Sequence, residues 1–419
     1  MSCTCTRRSF LGMSAGAVFA SRLAPLFGQE SRFGRAKNCI FLYMSGGPSH
    51  LETWDHKEGS SCVKAIDTAV RGVRISEHLP RLAKVTDRLS IVRSMTSTEA
   101  DHAPAATLML TGNGGGASAA QAFPAFGAVC SKEWSPGSAA LPTYVGVGSG
   151  GGPAFLGNEH GAFMVDLSDP LSILRPREED QPRLTTRLGL LKAADDDFVR
   201  RTNPTTVTDD ERKAVHRAVE MMGPKAYKAF DVSQENERVR AAYGDAGDTP
   251  SAFGRGCLLA RRLVEHGVRF VEVILDKWDM HYDIDQLIGP ASEELDAGMG
   301  TLIQELTDRR LLDETLVVWM GEFGRTPGPP PRFQGKLGRD HWAKAFSLVL
   351  AGGGVARGRV IGATDAIGAH VTDRPVTPQD FHASLYHAFG FDLNKKYMTL
   401  DGRPVKLIEK GSVVKELFA

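Results

Sequence analysis

With 419 residues, 42% of them hydrophobic and 24% charged, the chain carries enough apolar material for one large core or two modest ones and reads as an ordinary globular protein. Fifty basic residues balance fifty acidic ones, which excludes an overall charge that would draw nucleic acid or an anionic membrane surface.

The first 28 residues read as a twin-arginine export signal. Arg7 and Arg8 stand directly ahead of a small-residue apolar run from Phe10 to Phe27. That run is interrupted by Arg22 and Pro25 and lacks the roughly 18 clean apolar residues that a span requires, so no stable membrane span is expected. Cleavage after Ala20 or after Gly28 would leave a periplasmic or secreted protein. The twin-arginine export machinery, the first expected partner, passes proteins already folded with a cofactor in place. Cys39, Cys62, Cys130 and Cys257 remain, with no C-x-x-C pair; one or two disulfides are compatible with export, but the apolar surroundings of Cys39 and Cys257 favour buried thiols.

From residue 38 to the end, short apolar runs alternate with helical patterns. Strands are expected at 39–44, 89–95, 143–147, 268–275, 315–320 and 346–352, and their continuous apolar character implies that both faces are covered. Helices are expected at 104–112, 254–267, 291–312 and 377–390, the last with Thr377 as N-cap, Pro378 in the first turn and Gly390 as the stop. The alternation predicts one α/β domain with a mainly parallel central sheet and helices on both faces. Residues 170–250 break the pattern, being charged and helical, and read as an insertion on the rim. The glycine-rich stretches 113–120 and 148–153 read as loops.

In such a sheet ligands bind beyond the carboxyl ends of the strands, and five segments carry chemistry there. Strand 39–44 runs into Ser45, Gly46, Gly47 and His50; strand 89–95 leads to Asp101 and His102; strand 268–275 leads to Asp279 and His281; strand 315–320 leads to Glu322 and Arg325; and Asp340 with His341 precede strand 346–352. Carboxylates and imidazoles converging from distant segments are the usual ligand set for a divalent ion such as zinc, manganese or iron, and a pair of ions can clamp a phosphoryl or sulfuryl group. One or two ions are expected. Asp279 and His281 form the best local pair. Ser45, Gly46 and Gly47 permit a tight turn whose N–H groups can face an anion, with His50 at the same edge. Glu52, Asp55 and His56 continue that loop, at least one of them as a surface salt bridge rather than a ligand. Arg325 either clamps an anionic substrate or pairs with Glu322 or Asp340 as structural glue.

The stretches "FLYMSGGPSHLETWDHK", "LARRLVEHGVRFVEV", "GEFGRTP", "GRDHW", "LAGGGVARGRVIGATD" and "DGRPV", in that order between about residue 38 and the end, resemble the secreted bacterial proteins grouped as domain of unknown function 1501. The resemblance implies the α/β fold and metal centre of the alkaline phosphatase and sulfatase superfamily. Residues 100–112 are similar to its nucleophile segment: Asp101 matches the leading aspartate and Thr111 with Gly112 the closing pair, while His102 stands where the serine nucleophile would be. His102 is thereby a nucleophile, a ligand or a general acid. Asp279-x-His281 replaces an Asp-x-x-x-His pair, Glu322-Phe323 replaces an Asp-His pair, and His341 corresponds to the last histidine. The first-strand aspartate is missing unless His50, Glu52 or Asp55 substitutes for it. These relations imply a metal-dependent hydrolase acting on a phosphate or sulfate ester of a small molecule or polymer, with Asp279, His281, Glu322, Asp340 and His341 on the metal and His102, Asp101 and Arg325 in catalysis. The alternative is a relative that has lost turnover and binds a surface polymer or a partner protein.

Overall fold

A computed structural model describes residues 33–114, 122–134, 141–174, 181–202, 219, 221–247, 250–328 and 337–418. The expected signal at 1–28, most of the loop 113–120 and part of the charged insertion lie outside them.

Eight strands make one sheet: β1 (Asn38–Ser45), β2 (Leu89–Met95), β3 (Tyr144–Val147), β4 (Phe163–Val165), β5 (Phe270–Asp276), β6 (Thr315–Met320), β7 (Phe346–Ala351) and β8 (Arg359–Ile361). Their order across the sheet is β8-β2-β7-β6-β1-β5-β3-β4. β1 at the centre is parallel to β5 and to β6, and β3 is parallel to β4 and β5. β7 is antiparallel to both of its neighbours, β6 and β2, while β8 is parallel to β2. Seven strands therefore point one way and β7 alone runs back.

The sheet separates two apolar layers. Along β1, Ile40, Leu42 and Met44 enter one core while Cys39, Phe41 and Tyr43 enter the other, as the two-residue period of a strand requires. The first core is closed by α6 (Ala252–Glu265) and α7 (Ile284–Asp308), the second by α2 (Phe126–Glu133) and α8 (Pro378–Phe389). Helices on both faces explain why the strands are apolar without alternation. In α8 the Thr377 side chain accepts from Asp380 N, the Asp380 side chain accepts from Thr377 N, and Gly390 closes the helix at φ 71°. α7 begins at Ile284, seven residues before its expected start, and runs through Pro290. Burial of Ile284, Ile288 and Ala291 against the first core offsets the roughly 3 kcal/mol that an interior proline costs.

The charged stretch after β4 forms α3 (Gln181–Thr202), α4 (Pro224–Phe230) and α5 (Glu237–Ala242). Glu235, between the last two, reaches Arg261 at 3.0 Å and Arg262 at 2.5 Å on α6, so a buried ion network fastens this region to the core helix. Cys39, Cys62, Cys130 and Cys257 are free thiols, so the one or two disulfides held open by the sequence are not formed. No helix among the described residues is long and apolar enough to cross a membrane.

One buried histidine couples this core to pH. On α8, His382 is 1% exposed and its Nε2 donates to Met109 O at 2.9 Å at the end of α1 (His102–Thr111). Burial pushes its pKa down to about 4. The unfolded chain takes up that proton near pH 6.5 and the folded chain does not, so this residue's contribution is intact above pH 6.5 and is lost as pH falls toward 4, by up to about 3 kcal/mol. Urea unfolding at pH 7.5 and at pH 4.5 is expected to show the stability gap between the wild type and His382→Gln narrowing at the lower pH; a constant gap would contradict it.

Candidate metal centre

The carboxyl ends of β1, β2, β5 and β6 lie at one edge of the sheet. Because β7 runs backward, the residues entering it come to that same edge, and this reversal brings Asp340 and His341 to the others. His341 and Trp342 form a two-residue antiparallel ribbon with Gly324 and Arg325, His341 opposite Arg325.

Asp279, His102, His281 and His341 meet here. His102 Nε2 lies 3.4 Å from Asp279 Oδ2, and His281 Nε2 and His341 Nε2 lie 3.0 and 3.5 Å from Asp279 Oδ1. The Nε2 atoms of His281 and His341 are 3.0 Å apart. Lone pairs and carboxylate oxygens this close repel one another unless a proton or a cation lies between them.

The opposite side of each ring decides which nitrogen faces the centre. His102 Nδ1 donates to Glu322 Oε1 at 2.8 Å, and His341 Nδ1 donates to Ala100 O at 2.8 Å. His281 Nδ1 faces Asp340 Oδ1 at 3.4 Å. Carboxylates and carbonyls only accept, so they hold the proton on Nδ1 and turn the bare Nε2 of each ring inward. Underneath, the buried Phe323 ring packs against His102 at 5.1 Å and His341 at 4.4 Å between centroids.

The residues fit a divalent ion. The Nε2 of His102 is buried without a hydrogen-bond partner, an orphan that a ligand bond would satisfy. Ligand atoms of a tetrahedral ion with bonds near 2.1 Å stand about 3.4 Å apart, matching the 3.0–3.5 Å separations around Asp279. His102, Asp279 and His341 offer atoms all within 4.8 Å of one another, and among the described residues this is the one such group.

Arg325 holds the arrangement. Its side chain is 0% exposed, and its guanidinium donates to Gly46 O, to Gly47 O at 2.8 Å, to Trp278 O at 3.3 Å, to Arg339 O at 3.2 Å and to Asp279 Oδ1 at 2.6 Å. Every nitrogen of the guanidinium is thus engaged by the chain itself. Burial raises the pKa of Asp279, but the hydrogen bond and charge of Arg325, with His281 and His102, outweigh it and hold the carboxyl below its usual range. Conversely, the hydrogen bond that His102 donates to Glu322 raises the pKa of His102 despite partial burial.

The glycine turn after β1 packs on the same architecture. Gly46, at φ 107°, sits so close to the Trp278–Asp279 backbone that a Cβ would lie 2.4 Å from Asp279 N, and its own N–H donates to Glu322 Oε1 at 2.8 Å. Gly47, at φ 69°, lies against the Phe323 ring. The N–H of Gly46 is therefore spent on Glu322. Ser45 ends β1. His50 is buried and turned away, its Nε2 2.8 Å from Gly368 O. Glu52 is buried in an ion pair with Arg339 at 2.6 Å, Asp55 is buried beside Lys57, Arg93 and Thr364, and His56 Nε2 bonds Val63 O.

Of the five residues expected on the metal, Asp279, His281 and His341 line the centre, while Glu322 and Asp340 stand behind His102 and His281. His102, expected in catalysis, takes a ligand's place. Asp101 is exposed at the N-cap of α1, outside the converging set. Two contributors have no sequence signal: Tyr43, whose hydroxyl reaches Glu322 Oε2 at 3.2 Å, and the carbonyl of Ala100.

The family model described as "Protein of unknown function (DUF1501)" matches residues 36–418. The chain belongs to this family. Among solved structures, a lipoteichoic acid synthase from Listeria monocytogenes is similar over 88% of this chain and 76% of its own, at 12% identity and a TM-score of 0.42. A sulfatase from Pseudoalteromonas sp. is similar over 96% and 75%, at 13% identity and a TM-score of 0.38. A protein in the alkaline phosphatase superfamily from Vibrio parahaemolyticus is similar over 86% and 68%, at 13% identity and a TM-score of 0.39. Comparison of this DUF1501 member with curated proteins gives no match.

For this DUF1501 chain, elemental analysis after loading with zinc, manganese or iron is expected to show about one ion per chain, the number this single ligand group can hold. His341→Ala should lose it, and Glu322→Gln, which changes no ligand atom, should weaken affinity by about 10- to 100-fold. Full retention by both variants would contradict the assignment.

Proposed function

We propose that this protein is an exported, metal-dependent hydrolase of phosphate or sulfate esters. The observation that carries the reading is the inward convergence of three Nδ1-anchored imidazoles on Asp279 in a site open to solvent, the side chains of His102 and Asp279 being 40% and 49% exposed. The ester class rests on the resemblance of residues 100–112 to a phosphatase nucleophile segment, and export rests on Arg7 and Arg8.

His102, Asp279 and His341 would hold the ion and leave a coordination position open, as catalytic sites do. A bound ion would supply Lewis-acid polarisation of the ester oxygen and a water nucleophile at neutral pH. Glu322 keeps the His102 proton on Nδ1. Ala100 O does the same for His341. Arg325 fixes the Asp279 carboxylate and keeps it ionised, which makes it a positioning residue. His281, between Asp279 and Asp340, is placed to take a proton at its bare Nε2 from an attacking water. The substrate is an anionic ester on a small molecule or a polymer.

A second reading has its own observation. His281 Nε2 is 3.0 Å from both Asp279 Oδ1 and His341 Nε2, and as a fourth ligand it would close the site into a structural centre, as in a protein that binds a polymer or partner without turnover.

His281→Ala separates the two. The hydrolase reading expects its metal content unchanged and turnover lost; the structural reading expects the metal content to fall. On a panel of phosphate and sulfate monoesters and diesters, the metal-loaded wild type is expected to turn over at least one class, and Asp279→Asn to lose about a thousandfold or more. A correctly loaded wild type inactive on the whole panel would overturn the hydrolase. Fractionation of the native host should find the protein outside the cytoplasm, and Arg7→Lys with Arg8→Lys should retain it inside.

A further inference from the structure

At the opposite edge of the sheet a second cavity, of about 440 Å³, is lined by Arg35, Arg357, Arg359, Asp313 and the turn that follows β7. β6 and β1 begin at this edge and the reversed β7 ends there. The six residues of β6 put the cavity roughly 20 Å from the metal centre along the strand direction. Three guanidinium groups against one carboxylate give the lining a net positive charge.

The turn is built to pack closely on the start of β6. Gly352, Gly353 and Gly354 follow one another at φ 70°, 56° and 87°. A Cβ on Gly352 would lie 2.1 Å from Leu312 O and 2.3 Å from Thr315 O, and one on Gly353 would lie 2.9 Å from the Leu316 side chain. The turn is thereby pressed onto the start of β6, and the chain then rises through Val355 and Ala356 to the two arginines on either side of Gly358, itself at φ 65°. Arg357 is held by Asp313 at 2.5 Å. Arg359 opens the edge strand β8 and has no ion-pair partner among the described residues. A concave, positively charged cavity with one guanidinium pinned and another unpaired has the donors for a doubly charged tetrahedral oxyanion, since guanidinium groups bind such oxygens in pairs.

We infer that this cavity is a second anion site, which takes a phosphate or sulfate group carried by a larger molecule, separate from the metal centre and independent of whether that centre hydrolyses anything. Its volume exceeds that of the bare ion, which leaves room for the moiety bearing the group.

The test uses the full mature chain stripped of metal by a chelator, so that phosphate cannot report on the metal centre. Titration with inorganic phosphate, and separately with inorganic sulfate, is followed by calorimetry. Saturable binding is expected, weakened about tenfold or more by Arg359→Gln and unchanged by Arg403→Gln, an exposed arginine outside the cavity. Both variants should melt with the wild type in anion-free buffer, which shows that folding is not the cause. Absence of binding to both ions, equal weakening by the two variants, or loss of binding in His341→Ala would each overturn the site. If only one of the two ions binds, that ion names the group.

Discussion

The candidate centre depends on where three imidazole protons reside. A histidine left to itself presents either nitrogen, and a site built from three such rings would have several arrangements. Glu322, Ala100 O and Asp340 remove that freedom by taking the Nδ1 side of His102, His341 and His281. What remains is a set of Nε2 atoms aimed at one carboxylate. Asp279 is in turn fixed by a fully buried Arg325 whose other donors tie the β1 turn, the loop after β5 and the ribbon before β7. The guanidinium is the common tie between segments more than two hundred residues apart in sequence.

Sheet topology makes this assembly achievable. Four parallel strands deliver their carboxyl ends to one edge, but His341 enters β7 rather than leaving it. Only a reversed strand places that entry at the same edge, so the antiparallel pairing of β7 with β6 and β2 is a requirement of the site. Gly46 and Gly47 serve the same end. They allow the turn after β1 to press on the Trp278–Asp279 backbone and the Phe323 ring, where side chains would hold these loops apart.

The central strands, three of the four flanking helices and the edge that gathers the polar residues were legible in the sequence, because strands buried on both faces leave long apolar runs and helix caps leave Thr, Pro and Gly at fixed places; α2, at Phe126–Glu133, was not among the expected helices. β4 and β8, three residues each, are too short to leave a pattern. Within the site, sequence reading grouped Asp279, His281, Glu322, Asp340 and His341, but it had no means of telling which carboxylate faces the centre and which stands behind a ring. That difference is one of orientation: Glu322 follows β6 and meets the outer nitrogen of His102, and no motif encodes the direction. For Arg325 the sequence left a clamp and structural glue equally open. The count of carbonyls around it favours glue, and those carbonyls belong to residues whose side chains give no hint of the contact. The cluster from His50 to His56, whose ion pairing was expected at the surface and whose His50 was expected at the site's edge, is mostly a buried scaffold of ion pairs: Glu52 and Asp55 meet Arg339, Lys57 and Arg93.

The central claim is that two rings, His102 and His341, offer Nε2 to one ion beside Asp279. X-ray absorption at the metal edge of the loaded protein tests it directly. The account predicts nitrogen and oxygen neighbours near 2.0–2.2 Å with the outer-shell scattering of at least two imidazoles, diminished in His102→Ala. A shell of oxygen alone, or a spectrum that the loss of His102 leaves unaltered, would contradict it.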